Sequence, residues 1–250
     1  MLLLSQFVLR LSFGLAVAMA VTSPRQVASG FYRNHLYVLL GLAALAATMS
    51  FASPQLMPWP PLVAAVGSYA GAVVWLYEKP RPGIALLVLV AAAALAGAWL
   101  ALAWPPVTEP ALRTLAWLDP ITGGLVLGVT IGAMFLGHWY LNSPSMKLQP
   151  LRRLVALMTA ALLVRLVVCG VALAMMIAAE GRPPADRMLF LGFRWFAGLA
   201  GPLVLAWMAW QTLKIPNTQS ATGILYVAVI GTFLGELISQ LLSADTGYPL

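Results

Sequence analysis

Residues 121–141 read ITGGLVLGVTIGAMFLGHWYL, a stretch of 21 residues without Lys, Arg, Asp or Glu. A helix of this length rises about 30 Å, which matches the hydrocarbon core of a bilayer. Seven more apolar stretches of similar length are found at residues 2–22, 35–53, 56–77, 83–104, 151–179, 187–213 and 220–243. Because they are about twice as long as a barrel strand and do not alternate, we predict eight transmembrane helices.

The composition supports the same fold class. Of the 250 residues, 62% are hydrophobic and 8% are charged, so the chain has too little polar surface for a soluble protein. We therefore predict one all-α, polytopic membrane domain over residues 1–250, with the lipid bilayer as its surroundings. The formal net charge is +7, but no basic stripe with interleaved aromatic residues indicates a nucleic-acid partner. The single cysteine, Cys169, has no partner for an internal disulfide.

Prolines mark the predicted boundaries and one interruption. Pro60 and Pro61 fit the first turn of the third helix, where a missing N–H is tolerated. We expect Pro120 to precede the fifth helix, residues 105–120 to form a loop with a short amphipathic element, and Pro202 to interrupt the seventh helix in mid-membrane.

The connections carry an uneven charge. One face has eight basic residues and one acidic residue, Glu78; the basic residues are Arg25, Arg33, Lys79, Arg81, Lys147, Arg152, Arg153 and Lys214. The other face has three basic and five acidic residues: Arg113, Arg182, Arg187, Glu109, Asp119, Glu180, Asp186 and Asp245. Because basic residues favour the cytoplasmic side, we expect an integral protein of a bacterial inner membrane with both termini outside.

The first stretch has an alternative interpretation as a signal peptide, because Ala18-Met19-Ala20 resembles a cleavage site within residues 1–20. Against this, the segment has no basic start, and Arg10 interrupts the apolar region. We therefore interpret it as a membrane span.

A faint internal repeat divides the chain into residues 1–104 and 121–250. Ser23-Pro24 after the first stretch is echoed by Ser143-Pro144 after the fifth, and basic residues follow in both cases. We predict two tandem four-helix units that share one orientation, since each contains an even number of spans.

Four ionisable residues fall within the predicted spans: Arg10, Arg165, Arg194 and Glu236. Each costs at least about 2.5–3.5 kcal/mol near the centre of an isolated helix, so they need partners or a route to the interface. Arg165 and Glu236 lie about 14 and 16 residues from the cytoplasmic ends of their spans, so we predict a buried ion pair. We expect Arg10 and Arg194 to extend to lipid phosphates at the outer face. If all four converged, the positive pocket would suit an anionic amphiphile.

The two histidines, His35 and His138, are both predicted to lie at the cytoplasmic boundary, one in each half. Two imidazoles at equal depth can ligate the iron of a b-type haem. Their polar and aromatic neighbours, Tyr32, Arg33, Trp139 and Tyr140, also suit a quinone headgroup. Gly124, Gly128 and Gly132 recur at four-residue spacing, which allows close approach of another helix or of a flat cofactor.

Eight spans in two four-helix units resemble, in architecture, the membrane subunits of quinone-linked oxidoreductases and the haem A synthases. Haem A synthases have paired histidines in both halves, whereas this chain has one in each. The leading hypothesis is a non-catalytic membrane subunit of an electron-transfer complex that contacts haem b or a quinone, with other membrane subunits as partners. A transporter or flippase-like carrier of an anionic amphiphile and a structural scaffold subunit are the alternatives.

Overall fold

The computed structural model describes residues 1–102, 109–143, 146–215 and 217–250. Within these ranges all regular secondary structure is helical, as the composition predicts. The nine α-helices there are α1 (Leu2–Val21), α2 (Ser29–Ala52), α3 (Trp59–Leu76), α4 (Pro80–Leu100), α5 (Pro110–Asn142), α6 (Gln149–Glu180), α7 (Ala185–Trp195), α8 (Gly201–Lys214) and α9 (Thr218–Thr246).

Eight membrane spans account for these helices, because α7 and α8 join through a π-helical segment, Phe196–Ala200, into one span. Large apolar side chains such as Phe196, Trp207 and Ile230 cover the outside of the bundle, where only lipid can solvate them favourably. The chain is therefore an integral membrane protein. We name the face that holds both chain ends the outer face, and the opposite one the inner face.

Prolines have the predicted effect in two helices. Pro60 and Pro61 lie in the first turn of α3. Pro202 cannot donate to the carbonyl group of Gly198, and the π-helical segment lies directly before it, so the seventh span is interrupted where the sequence predicts.

The predicted start of the fifth helix is wrong. Helix α5 begins at Pro110 and continues through Pro120, so residues 110–120 belong to a helix and are not a loop; residues 103–108 lie outside the described residues. Side-chain donors reach carbonyl groups around the proline: Thr122 Oγ1 donates to Leu118 O at 2.9 Å, and Trp99 Nε1 to Trp117 O at 3.0 Å. Pro120 itself leaves the carbonyl group of Ala116 without its usual helical donor. Membrane helices tolerate internal prolines where they pack inside the bundle, as Pro120 does.

Helices α1 to α4 form one ring of contacts, in which each helix touches the next and α1 touches α4. Helices α5 to α9 form a second ring of the same pattern, with α7 and α8 counted as one member. Helices α1 and α5, the first helices of the two rings, also contact each other. They are the two most buried of the spans. The arrangement is the one that two tandem units would have, while duplication of the sequence stays a prediction.

Glycines permit the contact between α1 and α5. Gly14 lies against Gly124 and Gly128, and a methyl group on Gly14 or Gly128 would overlap the backbone of the other helix. A Cβ atom on Gly132 would lie 2.8 Å from the side chain of Ala18 of α1. The glycine stripe of α5 therefore serves helix packing, and it brings the outer halves of α1 and α5 close enough for their side chains to pair.

Candidate functional site

Five charged side chains from five helices form one buried chain near the outer third of the bundle. In order along this chain they are Arg10 of α1, Asp119 of α5, Arg165 of α6, Glu236 of α9 and Arg194 of α7. Each is at most 1% exposed. Positive and negative groups alternate, and an arginine stands at each end. We call these five residues the charge chain.

Arg165 is its centre. The guanidinium group donates from Nε and Nη2 to the two carboxylate oxygens of Glu236, at 3.0 and 2.9 Å. Its Nη1 donates to Asp119 Oδ1 at 2.6 Å and to Thr122 Oγ1 at 3.1 Å, and Nη2 also donates to Ser239 Oγ at 3.0 Å. One side chain thus holds α5, α6 and α9 together through charge-assisted hydrogen bonds.

The terminal arginines are less completely paired. Arg10 Nη2 pairs with Asp119 Oδ2, and Arg194 Nη2 pairs with Glu236 Oε1 at 2.9 Å. Arg194 Nη2 also donates to Cys169 Sγ at 3.3 Å. The Nε and Nη1 groups of both arginines are buried and have no hydrogen-bond partner among the described residues. Four buried guanidinium nitrogens therefore have hydrogen-bonding capacity that no described residue uses.

Three glycines provide the space that these groups occupy. A Cβ atom on Gly123 would lie 2.5 Å from Glu236 Oε2 and 3.2 Å from Arg10 Nη1. A Cβ atom on Gly198 or Gly235 would lie 3.1 or 3.3 Å from Arg194 Nη1. Gly198 and Gly235 also meet backbone to backbone, so the π-helical segment packs directly on α9 beside Arg194.

Polar side chains continue from the charge chain toward the outer face. Gln6 lies one turn from Arg10 on α1, and Gln240 one turn from Glu236 on α9, so each shares a helix face with a member of the charge chain. Both are buried, and their amide groups have no hydrogen-bond partner in the described part of the chain. Buried amides without a described partner therefore lie between the charge chain and the outer face.

The structure corrects two predictions about this region and confirms one. The ion pair between Arg165 and Glu236 is present as predicted. Arg10 and Arg194 do not extend to lipid phosphates but are fully buried and ion-paired. Asp119 is not an outer-loop residue, because α5 continues outward past it and places it inside the bundle. One signal in the sequence indicated that Asp119 could belong to the site. It lies two residues before residues 121–141, an apolar span that has no acidic residue.

The number of positive and negative groups in the charge chain determines which ligand it could bind. Among these five buried side chains, three arginines and two carboxylates leave one positive charge in excess. The buried Leu250 also belongs to this network, because Ser239 Oγ accepts from Arg165 and donates to Leu250 O. An uncompensated buried charge is costly, whereas an anion placed against the free guanidinium nitrogens would be held by charge-assisted hydrogen bonds.

The predicted haem or quinone residues lie at the inner face, far along α5 from Asp119. His35 is nearly buried between the rings of Phe31 and Phe135, with centroids at 4.3 and 4.6 Å, and its Nδ1 lies 2.6 Å from Phe31 O. His138 is exposed, and its Nδ1 lies 3.3 Å from Tyr226 Oη on α9. The two imidazoles therefore contact different helices.

Their predicted neighbours are divided between several contacts. Trp139 lies beside His35, with ring centroids 6.3 Å apart. Tyr32 stacks on Trp75 and donates to Thr22 O at 2.8 Å, Tyr140 donates to Lys147 O, and Arg33 is half-buried. A haem or quinone site at these residues stays a prediction.

Comparison of the chain with protein-family models, with curated proteins and with solved structures gives no match. The function has to be inferred from the side chains themselves.

Proposed function

We propose that this protein binds an anionic amphiphile within the membrane and carries it between the two leaflets, with the anionic headgroup held by the charge chain. The observation that carries the proposal is the excess positive charge of five side chains that are each at most 1% exposed. Isolated charge in a bilayer is expensive, and buried ionisable residues in membrane proteins mark ligand or ion pathways. A phosphate or carboxylate headgroup would neutralise the excess.

The two ends of the charge chain are the contact points for this headgroup. Arg10 and Arg194 each have one carboxylate partner and two free nitrogens. A guanidinium group can bind a carboxylate or phosphate in bidentate fashion, so each terminal arginine can hold its own carboxylate and a ligand oxygen together. Arg165, whose nitrogens all have partners, is the structural centre.

Removal of a terminal arginine is the sharpest variant that the chain offers. In Arg10→Gln, Asp119 keeps its pair with Arg165; in Arg194→Gln, Glu236 keeps its pair with Arg165. Each variant therefore removes the excess charge and leaves every carboxylate paired. One hydrogen bond to a charged group contributes about 1.5–3 kcal/mol to the free energy of binding. We therefore expect its loss to weaken anion binding about tenfold or more.

The test is a transfer assay in phosphatidylcholine vesicles that contain the purified protein. Lysophosphatidate with a fluorescent NBD group on its acyl chain is loaded in both leaflets, and dithionite added outside quenches the probe that reaches the outer leaflet. We expect wild-type protein and Arg153→Gln, which changes an exposed arginine of α6, to transfer the probe. Arg10→Gln and Arg194→Gln should be slow, and NBD-lysophosphatidylcholine should not be transferred. Equal transfer by all four proteins would refute the proposal.

We also propose an orientation of the protein in the membrane. The inner face carries the excess of basic residues, so it should be cytoplasmic, with both termini outside. The relocation of Asp119 into the bundle removes one acidic residue from the outer face and leaves the basic excess of the inner face unchanged.

An electron-transfer subunit is the second candidate function. It is favoured by one observation, the exposed pair of His138 and Tyr226 between α5 and α9, since an imidazole and a phenol side by side can donate to the oxygen of a quinone. The test is the visible spectrum of the detergent-purified protein, oxidised and reduced, with quinone binding to wild type and His138→Ala. A protein without a Soret band whose quinone binding is unchanged in His138→Ala would remove this candidate.

A further inference from the structure

An apolar groove runs along the lipid-facing surface of the bundle between α1, α5 and α6. Its walls are Val17 and Val21 of α1, Leu125 and Val129 of α5, and Leu157 and Ala161 of α6, and its volume is about 240 Å³. Val21 and Leu157 are exposed, so the groove is open to the hydrocarbon of the bilayer.

The groove reaches the charge chain at its outer end. Thr122 lines the groove, and its Oγ1 accepts a hydrogen bond from Arg165 Nη1 at 3.1 Å. Val164 also lines the groove and directly precedes Arg165 in α6. Through Thr122 and Val164 the groove therefore borders Arg165, the central member of the charge chain.

The direction of the groove defines how a ligand would lie. From Thr122 to Val129 the axis of α5 advances about 10 Å toward the inner face, and Val17 and Val21 occupy the inner end of α1. A molecule whose headgroup binds the charge chain would point its tail inward along this groove. Lipids of the outer leaflet have this polarity.

We infer that the groove holds the hydrocarbon chain of the anionic amphiphile, so that the ligand is a single-chain species taken up in its outer-leaflet orientation. This inference rests on the proposed function, because the charge chain supplies the headgroup site. Pockets for whole small molecules are about 300–1,000 Å³; the smaller groove holds part of one chain and leaves the remainder in lipid.

Photo-crosslinking tests the inference. The probe is dodecyl phosphate with a diazirine at the tail end, added to the protein in phosphatidylcholine nanodiscs and located by peptide mass spectrometry. We expect adducts in residues 17–21, 125–129 and 157–164. Ala161→Phe, which fills the groove, should reduce these adducts at least several-fold. Ala174→Phe, a matched change at an exposed site of the same helix beyond the groove, should leave them unchanged.

The outcomes separate the groove from the headgroup site. Adducts spread evenly over other lipid-facing helices, or adducts unchanged by Ala161→Phe, overturn the inference about the tail. If Arg10→Gln still lowers the total yield in that case, the headgroup proposal stands. Adducts whose yield is the same in Arg10→Gln and wild type contradict the proposed function as well. Stabilisation of the protein by inorganic phosphate to the same extent as by dodecyl phosphate would show a free-anion site and overturn the inference.

Discussion

Arg165 and Glu236 form a bidentate pair, with Nε and Nη2 of the arginine donating to the two oxygens of the carboxylate at 3.0 and 2.9 Å. Both side chains are completely buried. The second carboxylate in contact with Arg165, Asp119, lies on the other side of the same guanidinium group. Three helices of the second ring thus depend on one side chain.

Substitution of Arg165 should therefore be severe. Arg165→Leu leaves Thr122 and Ser239 without their donor and removes the bridge between two buried carboxylates. Each carboxylate keeps its terminal arginine but loses its charge-assisted hydrogen bonding to Arg165. A hydrogen bond to a charged group contributes about 1.5–3 kcal/mol, so for the two carboxylates we expect the unfolding free energy to fall by about 3–6 kcal/mol. Thermal or denaturant unfolding in detergent measures it. Arg153→Leu, an exposed site on the same helix, should change the free energy by less than about 0.5 kcal/mol. Equal effects of Arg165→Leu and Arg153→Leu would show that the hydrogen bonds of Arg165 do not stabilise the folded protein.

The charge balance predicts a rescue. Glu236→Gln raises the excess from one positive charge to two and leaves Arg194 without its carboxylate. Adding Arg194→Gln returns the excess to one, so the double variant should be more stable than the Glu236→Gln single variant. A double-mutant cycle on unfolding free energies measures this coupling, which we expect at about 0.5–3 kcal/mol for residues in one network. Strictly additive losses would contradict a shared charge balance.

Gly123 tests the space inside the charge chain. Gly123→Ala would place its Cβ atom 2.5 Å from Glu236 Oε2, so the carboxylate would have to move away from Arg165. Overpacking of this kind costs about 1–3 kcal/mol. Gly41→Ala, where a Cβ atom meets open space in a helix, should be neutral or stabilising by up to about 1 kcal/mol. The prediction fails if Gly123→Ala unfolds at the same temperature as Gly41→Ala.

Membrane topology can be checked independently of any ligand. Contacts between His35 of α2 and both Phe135 and Trp139 of α5 place the start of α2 and the end of α5 on one face. Reporter fusions after residues 35, 79 and 138 should all report the cytoplasm, and fusions after residues 55 and 182 the outside. Reporters that place residues 35 and 138 on opposite sides would be incompatible with this bundle.

Particular residues show what the sequence could predict. The spans and the Arg165–Glu236 pair were predictable, because hydropathy and depth along a helix depend only on position in the chain. Asp119 was not, because a carboxylate followed by proline is typical of a helix start, and the contact from Trp99 of α4 that accompanies the continuous α5 forms only after the bundle has packed. Without Asp119, Arg10 had no visible partner, so an interfacial position was the natural expectation. Pairing among five helices is a tertiary property that one-dimensional patterns do not contain.

The central claim is that the charge chain has one excess positive charge that an anionic amphiphile neutralises. The most direct test is the thermal unfolding of the purified protein in a neutral maltoside detergent with dodecyl phosphate or, as control, dodecanol. A ligand at about one hundred times its Kd stabilises the folded state by about 2.7 kcal/mol, so we predict a clear rise in Tm of wild-type protein with dodecyl phosphate alone, and little or no rise for Arg10→Gln and Arg194→Gln. The same rise in all three proteins, or none in the wild type, would contradict the claim.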